Sequence, residues 1–221
     1  MWNETKGSST VVDRMTVGQS SLGPTWQESP LVGADALMKA HHAGASKAFR
    51  LTERPFLQLV NVRGDTRDAA FMHAAESVIG CAPPAMPNTI AKGNGYDMLW
   101  LGPDEWLVVS EAQHDASRAA PLEARLRDAF AGAFASAVDI GSGYTVLDID
   151  GPRTRDVLSR GCPLDLHPNV FGAGQCAQSH YFKASITLVP LGGDRFEIIV
   201  RRSFADYFVK IMLDAAEPLL A

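Results

Sequence analysis

The chain has 221 residues, of which 46% are hydrophobic and 20% are charged. This balance is typical of a globular protein with a real core and argues against a disordered or membrane chain. The 25 acidic residues exceed the 20 basic ones, and no dense Lys/Arg run occurs. We therefore expect no nucleic-acid partner, since such proteins usually carry a basic surface.

Cysteine usage predicts a reducing compartment. The three cysteines, Cys81, Cys162 and Cys176, are odd in number and irregularly spaced. That pattern argues against a disulfide framework and favours a cytoplasmic protein.

The N-terminal residues 1–28 are rich in Ser, Thr and Gly and show no periodicity. They lack the basic start and apolar stretch of a signal peptide, and no later run is long enough for a membrane span. We predict a flexible tail over 1–28 and a single domain over 29–221. Trp2 and Trp26 are candidates for a strap that lies on a neighbouring protein.

In the first half, residues 56–63 alternate apolar and polar side chains and predict a strand. A helix is expected from Thr66, with Asp68 in its first turn, and to stop at Gly80. The segment MLWLGPDEWLVVS predicts a hairpin that turns at Gly-Pro-Asp. A further helix is expected from Leu122 to Gly132.

The second half repeats this order. Residues 144–150 predict a strand, and Gly151-Pro152 is expected to open a helix. The segment ITLVPLGGDRFEIIV predicts a second hairpin, and Ser203 with Asp206 is expected to start the last helix. One face of that helix is expected to carry Phe204, Tyr207, Phe208, Ile211 and Met212.

Two numerical offsets indicate an internal duplication. The hairpins are 90 residues apart, from Asp104 to Asp194, and the preceding strands 87 apart, from Val62 to Ile149. We predict an α+β fold of two pseudo-repeated strand-helix-hairpin-helix halves, about 50–132 and 133–221, with mostly antiparallel sheets covered by helices. The alternative is a coincidence of hairpins.

Four residues could form a metal site: Cys162, His167, Cys176 and His180. Structural zinc sites usually include a tight C-x2-C pair, and this pattern has none. Buried cysteines and surface histidines are therefore favoured over zinc. Cysteine catalysis also lacks a recognised signature, so we predict neither a catalytic nor a metal-binding residue in this chain.

Short motifs have simpler interpretations. Arg63-Gly64-Asp65 spells an adhesion tripeptide but fits a strand end that leads into a helix. The glycine pairs in 93–95 and 141–143 lack the remaining pattern of a nucleotide loop and are expected to be turns.

Two residue pairs are candidates for contact with a partner. Arg201 and Arg202 directly precede a predicted helix, and an internal acid, a partner carboxylate or a phosphate could neutralise them. Trp100 and Trp106 flank the first hairpin turn and suit either the core or an interface.

Several stretches resemble the gamma subunit of heterotetrameric sarcosine oxidase. The most specific are GPDEWLVV, RGCPLDLHP and VRRSFADY, and the resemblance extends from about residue 29 to 217. It implies a cofactor-free subunit of a flavoenzyme that oxidatively demethylates sarcosine to glycine. The implied partners are the alpha, beta and delta subunits, which would hold FAD, FMN, NAD, tetrahydrofolate and zinc.

The resemblance also implies the fold of the folate-binding aminomethyltransferases. Their folate-orienting Asn-Asp pair aligns approximately with Gly161-Cys162, and a following Tyr aligns with Gln178. A thiol does not replace a carboxylate that must be charged at neutral pH, so the catalytic position is expected to be lost. A folate-binding protein remains the alternative function.

The loop after the predicted helix contains Asp165 and His167, which fix the loop or dock a larger subunit. The candidate interface residues are Trp100, Trp106, Asp165, His167, Arg201 and Arg202.

Overall fold

A computed structural model of the chain describes residues 16–20, 23–44, 48–113 and 120–220. Its strands are β1 (Thr16–Ser20), β2 (Gly23–Trp26), β3 (Arg50–Arg54), β4 (Leu57–Arg63), β5 (Ile90–Gly93), β6 (Tyr96–Gly102), β7 (Glu105–Gln113), β8 (Ser136–Asp139), β9 (Tyr144–Asp150), β10 (Ala177–Tyr181), β11 (Ala184–Gly192) and β12 (Arg195–Arg201). Its helices are α1 (Asp35–Gly44), α2 (Ala69–Ile79), α3 (Leu122–Ala129), α4 (Thr154–Ser159) and α5 (Arg202–Leu220). A short 3-10 turn, Gly141–Gly143, precedes β9.

Two five-stranded antiparallel sheets form the body of the protein. The first has the order β5-β6-β7-β4-β8, and the second has the order β10-β11-β12-β9-β3. The predicted α+β class, mostly antiparallel sheets and both hairpins are thereby confirmed. Each half also repeats one element order, with two strands, a helix, three strands and a second helix.

The two halves exchange their first strands, which the sequence analysis missed. Strand β3 precedes β4 in the chain but pairs with β9 of the other sheet. Strand β8 precedes β9 but pairs with β4. Each sheet therefore contains one strand from the opposite half, and the halves about 50–132 and 133–221 do not form separate sheets.

Alternating strand residues place the sheets face to face. In β7, Trp106 and Val108 pack with α2 and α3, whereas Leu107 and Val109 belong to a cluster between the sheets. In β12, Ile198 packs with the helices of the second half. Because successive strand residues point to opposite faces, the layers run helix, sheet, sheet, helix.

A matching pair of contacts supports the internal repeat. A Cβ atom on Gly80, after α2, would lie 2.5 Å from the side chain of Asn94 in the next hairpin turn. A Cβ on Gly161, after α4, would lie 2.5 Å from the ring of Phe182 in the equivalent turn. Asn94 and Phe182 both have a positive φ, 51° and 48°. In each half, a turn residue with a positive φ therefore packs directly against a glycine, at a place where any larger residue would collide with it.

The first helix boundary differs from the prediction. Helix α2 begins at Ala69 and not at Thr66, because Asp68 is its N-cap and accepts a hydrogen bond from the backbone N–H of Ala70. Asp65 accepts a hydrogen bond from the backbone N–H of Arg67 two residues on, which forms a turn before the cap.

Two later boundaries also shift. Helix α4 begins at Thr154, after a turn that contains Pro152, and α5 begins at Arg202, one residue before Ser203. The predicted apolar face of α5 includes the buried Phe208 and Met212, but Phe204 is 39% exposed. Phe204 therefore belongs to the surface at the start of α5.

The predicted tail contains regular structure. Strands β1 and β2 pair as an antiparallel hairpin in which Thr16 faces Trp26 along the backbone. Residues 1–15, including Trp2, lie outside the described residues. Ser29 donates a hydrogen bond to Glu53, and Leu31 is buried in the core, so both residues pack against the body of the protein.

Across the described residues, no helix combines the length and the apolar character that crossing a membrane would require.

Candidate functional site

Cys162 lies in the core at the end of α4. Its side chain belongs to the hydrophobic cluster of the second sheet and is 5% exposed. The Sγ atom lies 3.6 Å from the hydroxyl of Ser179, a neutral group. This environment fits the interpretation of Cys162 as a small buried apolar residue.

Cys176 lies in a different cluster, between the two sheets. Its thiol hydrogen bonds to the carbonyl oxygens of Trp100 and Thr89 at 3.5 and 3.6 Å. Burial raises the pKa of Cys176 to about 11, so at neutral pH it is a thiol and not the thiolate that binds metal. Among the described residues, no three His, Cys, Asp or Glu side chains converge in a way that could hold a metal ion.

Asp165 and His167 shape the loop between α4 and β10. Asp165 accepts a hydrogen bond from the backbone N–H of His167, and His167 Nδ1 accepts one from the backbone N–H of Asn169. Both residues are exposed. The structural role is therefore visible, and contact of these side chains with a partner stays a prediction.

Arg155 ties this loop to the second hairpin. Its guanidinium donates to the carbonyl oxygens of Leu166 and Gly193 and lies 4.8 Å from the ring centre of Phe196. The side chain is only 18% exposed. One planar cation thus joins α4, the loop and the hairpin turn.

Replacing Arg155 with alanine is expected to lower the free energy of unfolding by about 2 to 3 kcal/mol, since two charged hydrogen bonds and a ring contact are lost. Arg155→Lys is expected to recover less than half of this, because one ammonium group lacks the planar fork. Urea denaturation measures both values, with the exposed Arg153→Ala as control. If Arg155→Lys were as stable as the wild type, the guanidinium of Arg155 would not be needed to join α4, the loop and the hairpin turn.

The two candidate tryptophans have different surroundings. Trp106 is fully buried, and its Nε1 donates to the carbonyl oxygen of Pro84 at 2.9 Å. Its side chain presents no surface to a partner, which corrects its selection as an interface candidate. Trp100 is half-buried and packs against the same cluster, so only part of its surface is available.

Arg201 and Arg202 lie on the surface where β12 ends and α5 begins. The Arg201 guanidinium lies 5.8 Å from the ring centre of Tyr144. Within the described part of the chain, neither arginine forms an ion pair with an acid. Of the three groups expected to neutralise these arginines, the internal acid is therefore not observed among the described residues.

A second surface feature escaped the sequence analysis. Phe134, in the turn between α3 and β8, is 98% exposed. It borders a cleft of about 770 Å³. The other walls of this cleft include Gly64, which follows β4, and Pro103, which lies in the turn of the first hairpin. The segment 131–135 shows no periodic pattern, so only the folded arrangement reveals this apolar surface.

Buried charges between the sheets were also missed. Arg54 of β3 forms an ion pair with Glu197 at 2.5 Å and lies 3.9 Å from Asp148. On the facing sheet, the buried Asp97 pairs with Lys92 at 2.5 Å. Strands β3, β9 and β12 are far apart in sequence, so no local pattern indicates that Arg54, Asp148 and Glu197 meet.

Burial has the largest effect on the pKa values of Glu197 and Asp148. It raises the pKa of Glu197 to about 7, because desolvation and the nearby Asp148 and Asp97 outweigh the attraction of Arg54. Burial likewise raises the pKa of Asp148. We expect this cluster to hold a proton near neutral pH, since charges without sufficient partners are costly in an interior.

The position aligned with the folate-orienting acid does not suit that role. Cys162 supplies a buried neutral side chain, and Phe182 fills the space above Gly161. No carboxylate stands at either aligned position. The residues present therefore do not fit folate chemistry of the aminomethyltransferase kind.

Comparison with known proteins assigns the chain to a family. Residues 63–217 match the model of the sarcosine oxidase, gamma subunit family. The sarcosine oxidase subunit gamma of Corynebacterium sp. (strain P-1) is 32% identical over 183 residues, which is 82% of this chain and 85% of the relative. That of strain U-96 is 30% identical over 192 residues, 86% of this chain and 89% of the relative.

Solved structures agree with these relatives. The fold matches a chain of heterotetrameric sarcosine oxidase from Corynebacterium sp. U-96, in complex with pyrrole 2-carboxylate, with a TM-score of 0.79 and 26% identity over 88% of this chain and 97% of that chain. Aminomethyltransferase T of Bartonella henselae shares the fold, with a TM-score of 0.57 and 16% identity over 89% of this chain and 52% of that one. The chain belongs to the sarcosine oxidase gamma subunit family.

Proposed function

We propose that this chain is the non-catalytic gamma subunit of a heterotetrameric sarcosine oxidase, where it assembles with and stabilises the alpha, beta and delta subunits. The complex would oxidatively demethylate sarcosine to glycine. The observation that carries this proposal is the structural match over 97% of a chain in a heterotetrameric sarcosine oxidase.

The chemistry would belong to the other subunits. FAD, FMN, NAD, tetrahydrofolate and zinc are proposed to lie there, and the complex is proposed to be cytoplasmic. Supporting this division, the buried charged groups between the sheets of this chain face one another across its own core. The thiols of Cys162 and Cys176 are buried as well, which is unlike the exposed thiolate of a reactive cysteine.

Co-expression tests the proposal. This chain is tagged and produced together with the proteins encoded beside it, and the eluate is analysed by mass spectrometry and flavin absorbance. We expect a yellow complex of four proteins that oxidises sarcosine. A control lacking this chain is expected to yield less flavin-loaded alpha and beta subunit, because binding stabilises the folded partners. A colourless single protein would contradict the proposal.

A further inference from the structure

Two neighbouring depressions meet at Arg202. One, of about 680 Å³, includes Val32, Gly143 and Arg201 in its walls, and the other, of about 550 Å³, includes Tyr144 and Phe56. Both are lined by Glu28, Pro30, Ser142 and Arg202. We call the first of these depressions the arginine groove, after the two arginines in its wall.

The positive charge of the arginine groove is not neutralised within the described residues. The Arg201 guanidinium lies beside the ring of Tyr144, and neither arginine side chain forms a hydrogen bond or an ion pair among the described residues. The nearby Arg54 is paired with Glu197. Among the residues lining this groove, Glu28 is the single acid, so two unpaired cations face one carboxylate.

The remaining acids beside the groove are already engaged. Glu53 accepts hydrogen bonds from the hydroxyls of Ser29 and Thr145, and Asp139 accepts one from the backbone N–H of Gly141. The groove therefore attracts carboxylates that come from outside this chain.

The arginines are unfavourable for the isolated chain. Arg202 is the first residue of the 19-residue helix α5, where the helix dipole favours a negative side chain by roughly 0.3 to 1 kcal/mol. A residue that opposes local stability without an internal partner is typical of a functional surface.

Apolar groups flank the same cations. Val32 lines the arginine groove and is 38% exposed, and the Tyr144 ring lies beside the Arg201 guanidinium. Protein interfaces commonly combine arginine with exposed aromatic and aliphatic groups in this way. A free inorganic anion would use the cations alone.

We propose that the arginine groove docks an acidic segment of a partner subunit, with carboxylates on Arg201 and Arg202 and an apolar side chain against Val32. This inference rests on the proposed function, since it places the contact within the oxidase complex. The two arginines would thus recognise a partner subunit, whereas the folding of their own chain does not depend on them.

Competition during assembly tests the docking surface. Untagged wild-type chain and the variant Arg201→Glu/Arg202→Glu are produced at equal levels with a tagged alpha subunit, and intact mass gives their ratio in the purified complex. We expect wild type to exceed the variant by about tenfold or more, because like charges then face each other. The control Lys183→Glu/Arg127→Glu, with the same charge change on other exposed residues, is expected to compete equally with wild type.

Folding is controlled separately. The melting temperature of Arg201→Glu/Arg202→Glu should equal or exceed that of wild type, since Glu suits the start of α5. If the variant does not fold, Arg201→Gln/Arg202→Gln takes its place, with a smaller expected exclusion from the complex.

The outcomes separate this inference from the proposed function. If neither chain is recovered with the alpha subunit, the proposed function fails. If both chains are recovered equally, or if the control is excluded as strongly as the variant, the docking surface is refuted while the subunit role stands. A lowered melting temperature with equal recovery would show that the two arginines stabilise this chain itself, which also overturns the inference.

Discussion

Replacing Trp106 with alanine is expected to lower the free energy of unfolding by about 3 to 5 kcal/mol, the range for a large aromatic residue removed from a core. Trp106 is fully buried, lies 5.5 Å from the ring of Phe71 and donates to the carbonyl oxygen of Pro84. Its removal would leave a cavity between the first sheet and α2 and an unpaired carbonyl.

Trp100 supplies a matched control for this experiment. It faces Trp106 across the β6–β7 pair but is only half-buried, so Trp100→Ala is expected to cost less. Chemical denaturation of each purified variant gives the two values. Equal losses of unfolding free energy in the two variants would contradict the placement of Trp106 in the core. A Trp106→Ala variant as stable as the wild type would contradict it more strongly.

Replacing Glu197 with glutamine is expected to flatten the dependence of stability on pH between about pH 5 and 7. Burial raises the pKa of Glu197 to about 7 in the folded chain, whereas an unfolded glutamate titrates near 4.3. Between these values the folded state binds more protons than the unfolded state, so stability falls as pH rises. The full loss for wild type, from below pH 4.3 to above pH 7, is about 4 kcal/mol.

The surroundings of Glu197 explain this direction. Asp148 lies directly opposite on β9, and Asp97 lies on the facing sheet. Arg54 and Lys92 form ion pairs with acids of this group, and Arg195 also acts on Asp148. Burial outweighs these cations at Glu197, so its carboxyl group is favoured in its protonated form. The neutral amide of glutamine imitates that form at every pH.

Unfolding measured by urea at several pH values tests this account. Wild type should lose stability from pH 5 to 7, and Glu197→Gln should lose much less. Glu217→Gln, an exposed change near the end of α5, should retain the wild-type slope. Identical slopes for Glu197→Gln and wild type would show that Glu197 is ionised throughout.

Local chemistry determined which features could be predicted from the sequence. Helix α2 stops at Gly80, which has a positive φ, and the first hairpin turns at Pro103 and Asp104, residue types that favour turns. The similar offsets of 90 and 87 residues between the two halves reflect a repeat that the element order confirms. These features depend on neighbours within a few residues or on a nearly constant offset.

Long-range contacts explain what could not be predicted. Strand β3 is five residues long and joins the second sheet by pairing with β9, which lies about a hundred residues away in the chain. The ion pair of Arg54 with Glu197 joins residues 143 positions apart. Arg201 and Arg202 were identified as charged surface residues, but the absence of an internal acid among the described residues required the folded arrangement.

The most direct test of the central claim is the native mass of the complex purified through this chain. The account predicts one mass equal to one copy each of this chain and the alpha, beta and delta subunits with their bound cofactors. A mass equal to this chain alone, from cells that also produce the other three subunits, would contradict it.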